Sequence, residues 1–468
     1  MSAQENTEVT AAELGHVHLL GIGGVGVSAV ARLLLAQGLS VSGTDAKDVP
    51  VLEQLRAAGA TVWVGFDAEH AHGADTVVLS SVIREDNPEL VAARAAGARV
   101  LHRSQALAAL MNGRVGITVA GTHGKTTTSS MTAVMLRHAG LAPTFAIGAA
   151  VPALGTNAEL GTGSAFVAEA DESDGSFLNY RPFIGIITNV EADHLDHYGT
   201  AEAVHAAFDD YAALLPADGL LVACADDAGA AAAARHASDR AGSSRVLTYG
   251  FSEAAQIRLS DPAHEGTGVI ARLRDADGSE HRLSLQVPGE HNLLDAAAAY
   301  AVGRELGLSA EQALAGLAVF GGAARRFEAR GTARGVRVYD DYAHHPTEVA
   351  AALRAARDVA GEGRVHVLFQ PHLFSRTRDF AAEFGEALSL ADTVWLLPIY
   401  AAREEPIPGV SSQLVADAVT VPHRIVTAQD AAALVAAQAA EGDLVMTLGA
   451  GDVTTQGARI LSVLEGAA

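Results

Sequence analysis

Val119-Ala-Gly-Thr-His-Gly-Lys-Thr-Thr-Thr128 is the stretch on which the reading of the fold turns. In the phosphate-loop pattern G-x-x-x-x-G-K-[ST] the first glycine stands six positions before the lysine. Here Gly124, Lys125 and Thr126 are in order, but position 119 is valine and a glycine stands at 121 instead. The stretch lies between a predicted strand, Val115–Ala120, and a predicted helix, Thr126–Ala139, which is the setting a nucleotide loop needs. Lysine usage separates it from a chance likeness. The chain holds two lysines, Lys47 and Lys125, and thirty of its 32 basic residues are arginine. An ammonium is a compact point charge that fits between β- and γ-phosphates, whereas guanidinium is a wide planar fork.

The segments around this loop read as α/β throughout. A chain of 468 residues suggests about three domains. In residues 1–112, strands are predicted at His16–Leu20, Val41–Asp45 and Asp75–Ser81, with a helix over Ser28–Gln37. Residues 113–325 add strands at Ala165–Ala170, Ile184–Thr188 and Gly219–Cys224, and a small β element between Val246 and Val287. Residues 326–468 restart the rhythm at Val336–Asp340, Val365–Phe369, Val394–Pro398 and Leu444–Leu448. Alternating strands and helices predict doubly wound parallel sheets, Rossmann-like in the first and third segments, and a P-loop-type mononucleotide-binding domain in the second. The alanine run Ala230–Ala234 reads as helix.

Composition narrows the function. A net charge of −23 repels polyanions, which argues against nucleic-acid or anionic-membrane binding. Cys224 is the lone cysteine, so no intramolecular disulfide or cysteine-rich zinc site is possible. The polar, acidic start lacks a signal-peptide pattern, and the apolar span Leu19–Leu39 is broken by glycines and Arg32, so a cytoplasmic protein without membrane insertion is expected. The oligomeric state is not readable.

Two further stretches carry chemistry. Gly21-Ile-Gly-Gly-Val-Gly26 follows a strand and opens a helix, with Asp45 nineteen residues beyond Gly26. Gly23, Gly24, Val25 and Gly26 would cradle a pyrophosphate at the helix N-terminus, belonging either to NAD or to a UDP-linked sugar. Phe166-Val-Ala-Glu-Ala-Asp-Glu172 and Thr188-Asn-Val-Glu-Ala-Asp-His-Leu-Asp-His-Tyr198 put acids and histidines at two strand ends, as metal and phosphate chemistry requires and hydride transfer does not.

Taken in order, these motifs resemble the Mur ligase family, in its alanine-adding branch. The resemblance is carried also by Pro288-Gly-Glu-His-Asn292, Arg325-Arg-Phe327, Asp340-Asp-Tyr-Ala-His-His-Pro346, Phe369-Gln-Pro-His372, Ser375-Arg-Thr-Arg378 and Leu448-Gly-Ala-Gly-Asp452. It implies an ATP-dependent ligase of peptidoglycan synthesis that joins L-alanine to the lactyl carboxylate of UDP-N-acetylmuramate through an acyl phosphate. The implied domains are 1–112 for the UDP-sugar, 113–325 for ATP and 326–468 for the amino acid.

The resemblance also assigns residues. Gly121, Thr122, His123, Gly124, Lys125, Thr126 and Thr127 would hold the ATP phosphates, and Asn292 the adenine. Thr126, Glu169 and His194 would ligate magnesium. Because that ion prefers oxygen, a histidine ligand leads us to expect that manganese substitutes well. Asp341 and Arg326 would contact the nucleotide, the latter on closure about Arg325–Phe327. Tyr342 and His344 would line the alanine pocket, and Arg376 and Arg378 would take the carboxylate. Lys125, Glu169, His194, His344 and Arg376 form the implied catalytic set.

Three features bear on the branch. With no lysine after Lys125, the carbamoylated lysine of several relatives cannot form here. Leucine stands at 373 where the family often has arginine, and Asp295 replaces an asparagine, losing the donor an adenine contact would use. A sister ligase that adds a whole peptide, a nicotinamide oxidoreductase and a non-catalytic nucleotide sensor are the competing readings. Phosphate release requiring both UDP-N-acetylmuramate and alanine separates them.

Overall fold

The computed structural model describes residues 9–402 and 404–466. The chain has a three-domain α/β architecture in which each domain is built on its own sheet. By compactness it forms two units. One runs to Ser260 and takes in Arg272–Leu283 and Leu294–Phe320; the other comprises Asp261–Ala271, Ser284–Leu293 and the chain from Gly321 on.

The first sheet has β1 (Val17–Leu20), β2 (Val41–Asp45), β3 (Thr61–Val64), β4 (Thr76–Leu79) and β5 (Arg99–His102) in the order β3-β2-β1-β4-β5. All its pairings are parallel. The strand order reverses at β1, so the glycine loop after Leu20 lies at the topological switch point where such sheets bind ligands. Its helix is Val25–Ala36, three residues earlier than the polar–apolar pattern suggested, because Gly24 in extended conformation ends the turn there.

The second sheet places β6 (Val115–Ala120) among β7 (Thr144–Val151), β8 (Thr156–Glu159), β9 (Ala165–Glu169), β10 (Ile184–Ile187), β11 (Leu220–Cys224) and β12 (Arg245–Gly250). Within the first unit their order is β12-β11-β10-β6-β9-β7-β8. β6 pairs in parallel with β10 and β9, so all three sequence motifs that end in loops, acids or histidines emerge at the same carboxyl end of these interior strands. β10 and β11 are buried at every position, as strands covered on both faces must be. The alternating stretch beyond them forms β13 (Ile257–Glu265), β14 (Gly268–Arg274) and β15 (Glu280–Leu285).

The helix after β6, Lys125–His138, is buried from Thr126 to Leu136. Gly316 lets the helix Ala310–Ala318 approach it closely: a Cβ there would stand 2.8 Å from the Met135 Cα. This packing holds the helix that carries Lys125.

In the second unit β16 (Glu328–Ala333), β17 (Val336–Asp341), β18 (Val365–Phe369), β19 (Thr393–Leu396), β20 (His423–Ile425) and β21 (Leu444–Leu448) take the order β16-β17-β21-β18-β19-β20. All pairings are parallel except β16 with β17. Val365, Val367, Phe369, Leu444, Met446 and Leu448 face one core, whereas Leu368 and Val445 belong to the other side, so helices cover both faces. Asp340 and Asp341 on one side and Gln370 on the other thereby flank the end of β21.

Candidate active site

The loop at 121–126 is held by the strand-end residues beside it. Gly121 has φ of +137°, and a Cβ there would stand 1.9 Å from the Thr188 Oγ1, so glycine is required on two counts. Thr122 N–H donates to the Asn189 carbonyl (3.0 Å), His123 N–H to Asn189 Oδ1 (2.8 Å), and Glu191 N–H to Thr122 Oγ1 (2.9 Å). Thr188 Oγ1 and Asn189 Nδ2 both donate to the His123 carbonyl. Gly124, at φ +83°, caps the helix in a left-handed turn. The six-residue reach of the longer pattern is thus replaced by cross-links to the strand end after β10.

Lys125 Nζ folds back over this loop. It donates to the carbonyls of Gly121 (2.6 Å) and Thr122 (3.0 Å) and to Glu172 Oε1 (3.0 Å), with Glu172 Oε2 at 2.8 Å. Burial is the largest influence on the ammonium and pulls its pKa down, but the carboxylates of Glu172, Asp171 and Glu169 raise it above the usual lysine value. The side chain is therefore a fully charged donor at neutral pH.

Glu172 is the functional-looking residue that sequence reasoning did not assign. Only 2% exposed, it lies between Lys125 and His194, whose Nε2 is 3.4 Å from Glu172 Oε1. Tyr198 Oη donates to its backbone carbonyl (2.6 Å). His194 adopts a left-handed φ of +55°, uncommon for a non-glycine residue, and its pKa is raised: burial lowers it most, but Glu172 and Asp193 outweigh that. Glu172 stands inside the acidic run already singled out; only its burial against a lysine distinguishes it from its neighbours.

Glu169 accepts from Gly148 N–H (2.7 Å) and Ser129 Oγ (3.4 Å), and a Cβ at Gly148 would stand 2.6 Å from its Oε2. Thr126 is buried in the first turn of the loop's helix. Thr126, Glu169 and His194 thus arise on the phosphate-loop helix, the end of β9 and the turn after β10, together with Asp171 and Glu172. A mostly oxygen donor set beside a phosphate loop fits a hard divalent cation.

The glycine loop is built by Asp45. Its Oδ2 accepts from Gly23 N–H (2.9 Å) and its Oδ1 from Lys47 N–H (3.1 Å), while Gly24 N–H closes a tight turn on the Gly21 carbonyl (3.0 Å). A Cβ at Gly23 would press on Asp45 and Val49, and one at Gly26 on Arg103. Arg103 donates to Asp171 Oδ2 (2.6 Å), so a side chain packed at the glycine loop reaches the acidic run of β9. Burial would raise the Asp171 pKa, but Arg103 and Lys125 hold it down at about 2.

In the second unit, Asp341 ends β17 and accepts from Phe327 N–H (2.7 Å) and Ala343 N–H (2.7 Å). Burial raises its pKa to about 6 against the opposing influence of Arg326. The guanidiniums of Arg325 and Arg326 lie 4.8 and 5.3 Å from the Tyr342 ring centre. Tyr342, His344, His372 and Tyr400 form a chain of ring contacts at 5.1, 5.8 and 5.9 Å. A Cβ at Gly451 would stand 2.7 Å from the Tyr400 ring, so that loop closes one end of the chain. Leu373 carries a φ of +70°, and Thr377 Oγ1 donates to its carbonyl (2.7 Å).

The two expected carboxylate arginines differ. Arg376 is buried in the helix Phe374–Asp379, whereas Arg378 is exposed and paired with the adjacent Asp379 (2.7 Å). The two adenine candidates differ as well. Asn292 Nδ2 donates to the Pro288 carbonyl (2.6 Å), which fixes its amide plane. Asp295, in the first unit, accepts from Thr128 Oγ1 (2.8 Å) and lies where a Cβ of Gly124 would be (2.7 Å). Asp295 therefore braces the phosphate loop, a task that needs an acceptor only.

Sequence models of three domains match the chain: Mur ligase family, catalytic domain at residues 16–115, Mur ligase middle domain at 119–303, and Mur ligase, glutamate ligase domain at 325–451. A UDP-N-acetylmuramate–L-alanine ligase of Paenarthrobacter aurescens is 62% identical over 453 residues, covering 97% of this chain and 98% of the relative. The same-named enzyme of Cutibacterium acnes is 51% identical over the full length of both. Among solved structures, a UDP-N-acetylmuramate-alanine ligase from Thermotoga maritima superposes with a TM-score of 0.82 at 27% identity, covering 97% of this chain and all of that one.

Proposed function

The chain belongs to the Mur ligase family, and from that premise we propose that it joins L-alanine to the lactyl carboxylate of UDP-N-acetylmuramate, with ATP cleaved to ADP and phosphate. The observation that carries this reading is the buried phosphate loop. Its one lysine, cross-linked backbone and adjoining acids have a use in phosphoryl transfer and none in hydride transfer.

The chemistry follows from the substrates. Hydroxide leaves a carboxylate poorly, so the carboxylate first attacks the γ-phosphorus of ATP, giving an acyl phosphate and ADP. The alanine amine then attacks the acyl carbon, and phosphate leaves. Little covalent work falls to the protein; it holds reactants and balances charge. In this reading the amides of 121–126 and Lys125 take the phosphates, and Gly23–Gly26 with the following helix takes the pyrophosphate of the sugar nucleotide. Thr126, Glu169 and His194 would hold a divalent cation, magnesium or manganese, which would neutralise phosphate charge. Asn292 takes the adenine, while Asp341 and Arg326 serve the nucleotide. Tyr342, His344 and Arg376 form the alanine pocket, with Arg378 at its edge once freed from Asp379.

The working domains we propose are 1–112 for the sugar nucleotide, 113–325 for ATP and 326–468 for the amino acid. No described helix is long and apolar enough to cross a membrane. In this reading the reaction is cytoplasmic, where its nucleotide substrates are made. The test is phosphate release by the purified protein: it should require UDP-N-acetylmuramate and L-alanine together, and release independent of either would overturn the reading.

A further inference from the structure

The Lys125 ammonium is fully engaged within the protein. An ammonium has three donors, and all three are in use, on the Gly121 carbonyl, the Thr122 carbonyl and Glu172. A phosphate can be gripped only after at least one of these is given up. The two carbonyls are neutral and belong to the loop itself. Glu172 is different: it is a carboxylate, nearly inaccessible, and anchored by Tyr198 through its backbone and by His194 through its side chain. Among the described residues no other carboxylate pairs directly with Lys125.

We propose that Glu172 is a displaceable counter-ion of the phosphate loop, a positioning residue that keeps Lys125 folded back until nucleotide phosphate takes the ammonium from it. The reasoning rests on the nucleotide reading of the loop given above. The pair neutralises two buried charges that would each be costly alone. When nucleotide enters, the anionic phosphate replaces the carboxylate as the partner of the lysine. Glu172 then still has His194 Nε2 beside its carboxylate, at 3.4 Å. Asp171 cannot serve in its place, because its carboxylate is engaged by Arg103 and by Ser173 N–H (3.1 Å). The arrangement makes nucleotide binding an exchange of anions at a fixed cation, and so sets its affinity by a competition within the protein.

This predicts an effect of unusual sign. Glu172→Gln keeps shape and burial but removes the competing charge. ADP measured by calorimetry without divalent metal should then bind roughly tenfold tighter than to the wild type, the scale of one hydrogen bond to a charged group. A residue that merely shapes the loop would, on replacement, weaken ADP instead. Glu172→Asp, whose carboxylate is one methylene shorter, should fall between, and carries the test alone if the glutamine variant does not fold.

The two lysines of the chain allow a direct view. Protein labelled with 15N-lysine should show two side-chain amine resonances, one slow to exchange and moved by ADP, which is Lys125. In Glu172→Gln that resonance should move and exchange faster before any nucleotide is added. If ADP moves the resonance but the variants bind ADP no tighter than wild type, the counter-ion proposal is wrong and the nucleotide loop stands. If ADP leaves both resonances of the wild type unmoved, the nucleotide reading itself fails.

Discussion

Replacing Gly148 by alanine should disable the reaction while sparing the fold. Gly148 lies in β7 and is exposed, and its N–H donates to Glu169 Oε1 (2.7 Å). An added Cβ would stand 2.6 Å from Glu169 Oε2, 2.9 Å from Oε1 and 3.0 Å from Cδ, where ordinary contact begins at 3.4 Å. The carboxylate must therefore retreat by about 0.8 Å (3.4 − 2.6). It sits at the free end of a flexible side chain, so the backbone need not yield, and alanine in a strand is favoured over glycine by roughly 0.5–1 kcal/mol. Misplacement on the scale of 1 Å at a reacting centre costs on the order of a hundredfold. We expect kcat/KM to fall about 10- to 100-fold, equivalent to ~1.4–2.7 kcal/mol of transition-state stabilisation, with the melting temperature unchanged or slightly raised. Phosphate release measured across a magnesium titration at fixed ATP should show a higher metal requirement. Wild-type rates with wild-type metal dependence would refute the placement of Glu169 at the metal. Loss of rate together with loss of folding stability would refute the claim that only the carboxylate moves.

Lys125→Ala should lower turnover at least ~100-fold, the scale of removing one preorganised charged donor, while calorimetric affinity for UDP-N-acetylmuramate stays that of the wild type. Equal loss of that affinity would mean that the two loops have been exchanged in the assignment. Asp341, with its pKa raised from 3.8 to about 6, contributes stability that is fully present below its unfolded value and is lost as pH rises through 6. Asp341→Asn removes this dependence, so the unfolding free energies of the two proteins should diverge by up to about 3 kcal/mol between pH 4 and pH 7, in favour of asparagine at the higher pH. Parallel denaturation curves at the two pH values would contradict the raised pKa. Manganese in place of magnesium should support turnover, because an imidazole ligand suits it better; no turnover with manganese would count against His194 as a ligand.

Much of the fold was legible because the signals were local. The interior strands Val115–Ala120, Val365–Phe369 and Leu444–Leu448 are apolar runs bounded by polar turns, and the structure has them with those bounds. The alternating stretch from 246 to 287 became β13 to β15 by the same logic of period two. The edge strand Thr156–Glu159 was not legible, since it is short, has a single apolar residue, Ala158, and lies at the sheet's edge against β7. The same holds for His423–Ile425, all of whose residues are exposed.

Among the site residues, those that act through backbone and charge type were visible: glycines at 121 and 124, the rare lysine, the acids at strand ends. What sequence could not supply was which acid meets which cation. Glu169, Asp171 and Glu172 are indistinguishable as letters, yet the first takes a strand N–H from β7, the second an arginine from another helix and the third the phosphate-loop lysine. Those partners lie 21, 68 and 47 positions away, and only the fold brings them together. Asp295 shows the converse. Read from its motif it is a weakened adenine contact, but its hydrogen bond to Thr128 gives it a task in the loop that an aspartate performs fully.

The central claim is that this chain activates the carboxylate of UDP-N-acetylmuramate with ATP for attack by L-alanine. Phosphate release measured with the sugar nucleotide fixed, across amino acids and the L-Ala-containing tripeptide, tests it most directly. The account predicts no release without the sugar nucleotide and a clear preference for L-alanine; a strong preference for the tripeptide, or release without the sugar nucleotide, would contradict it.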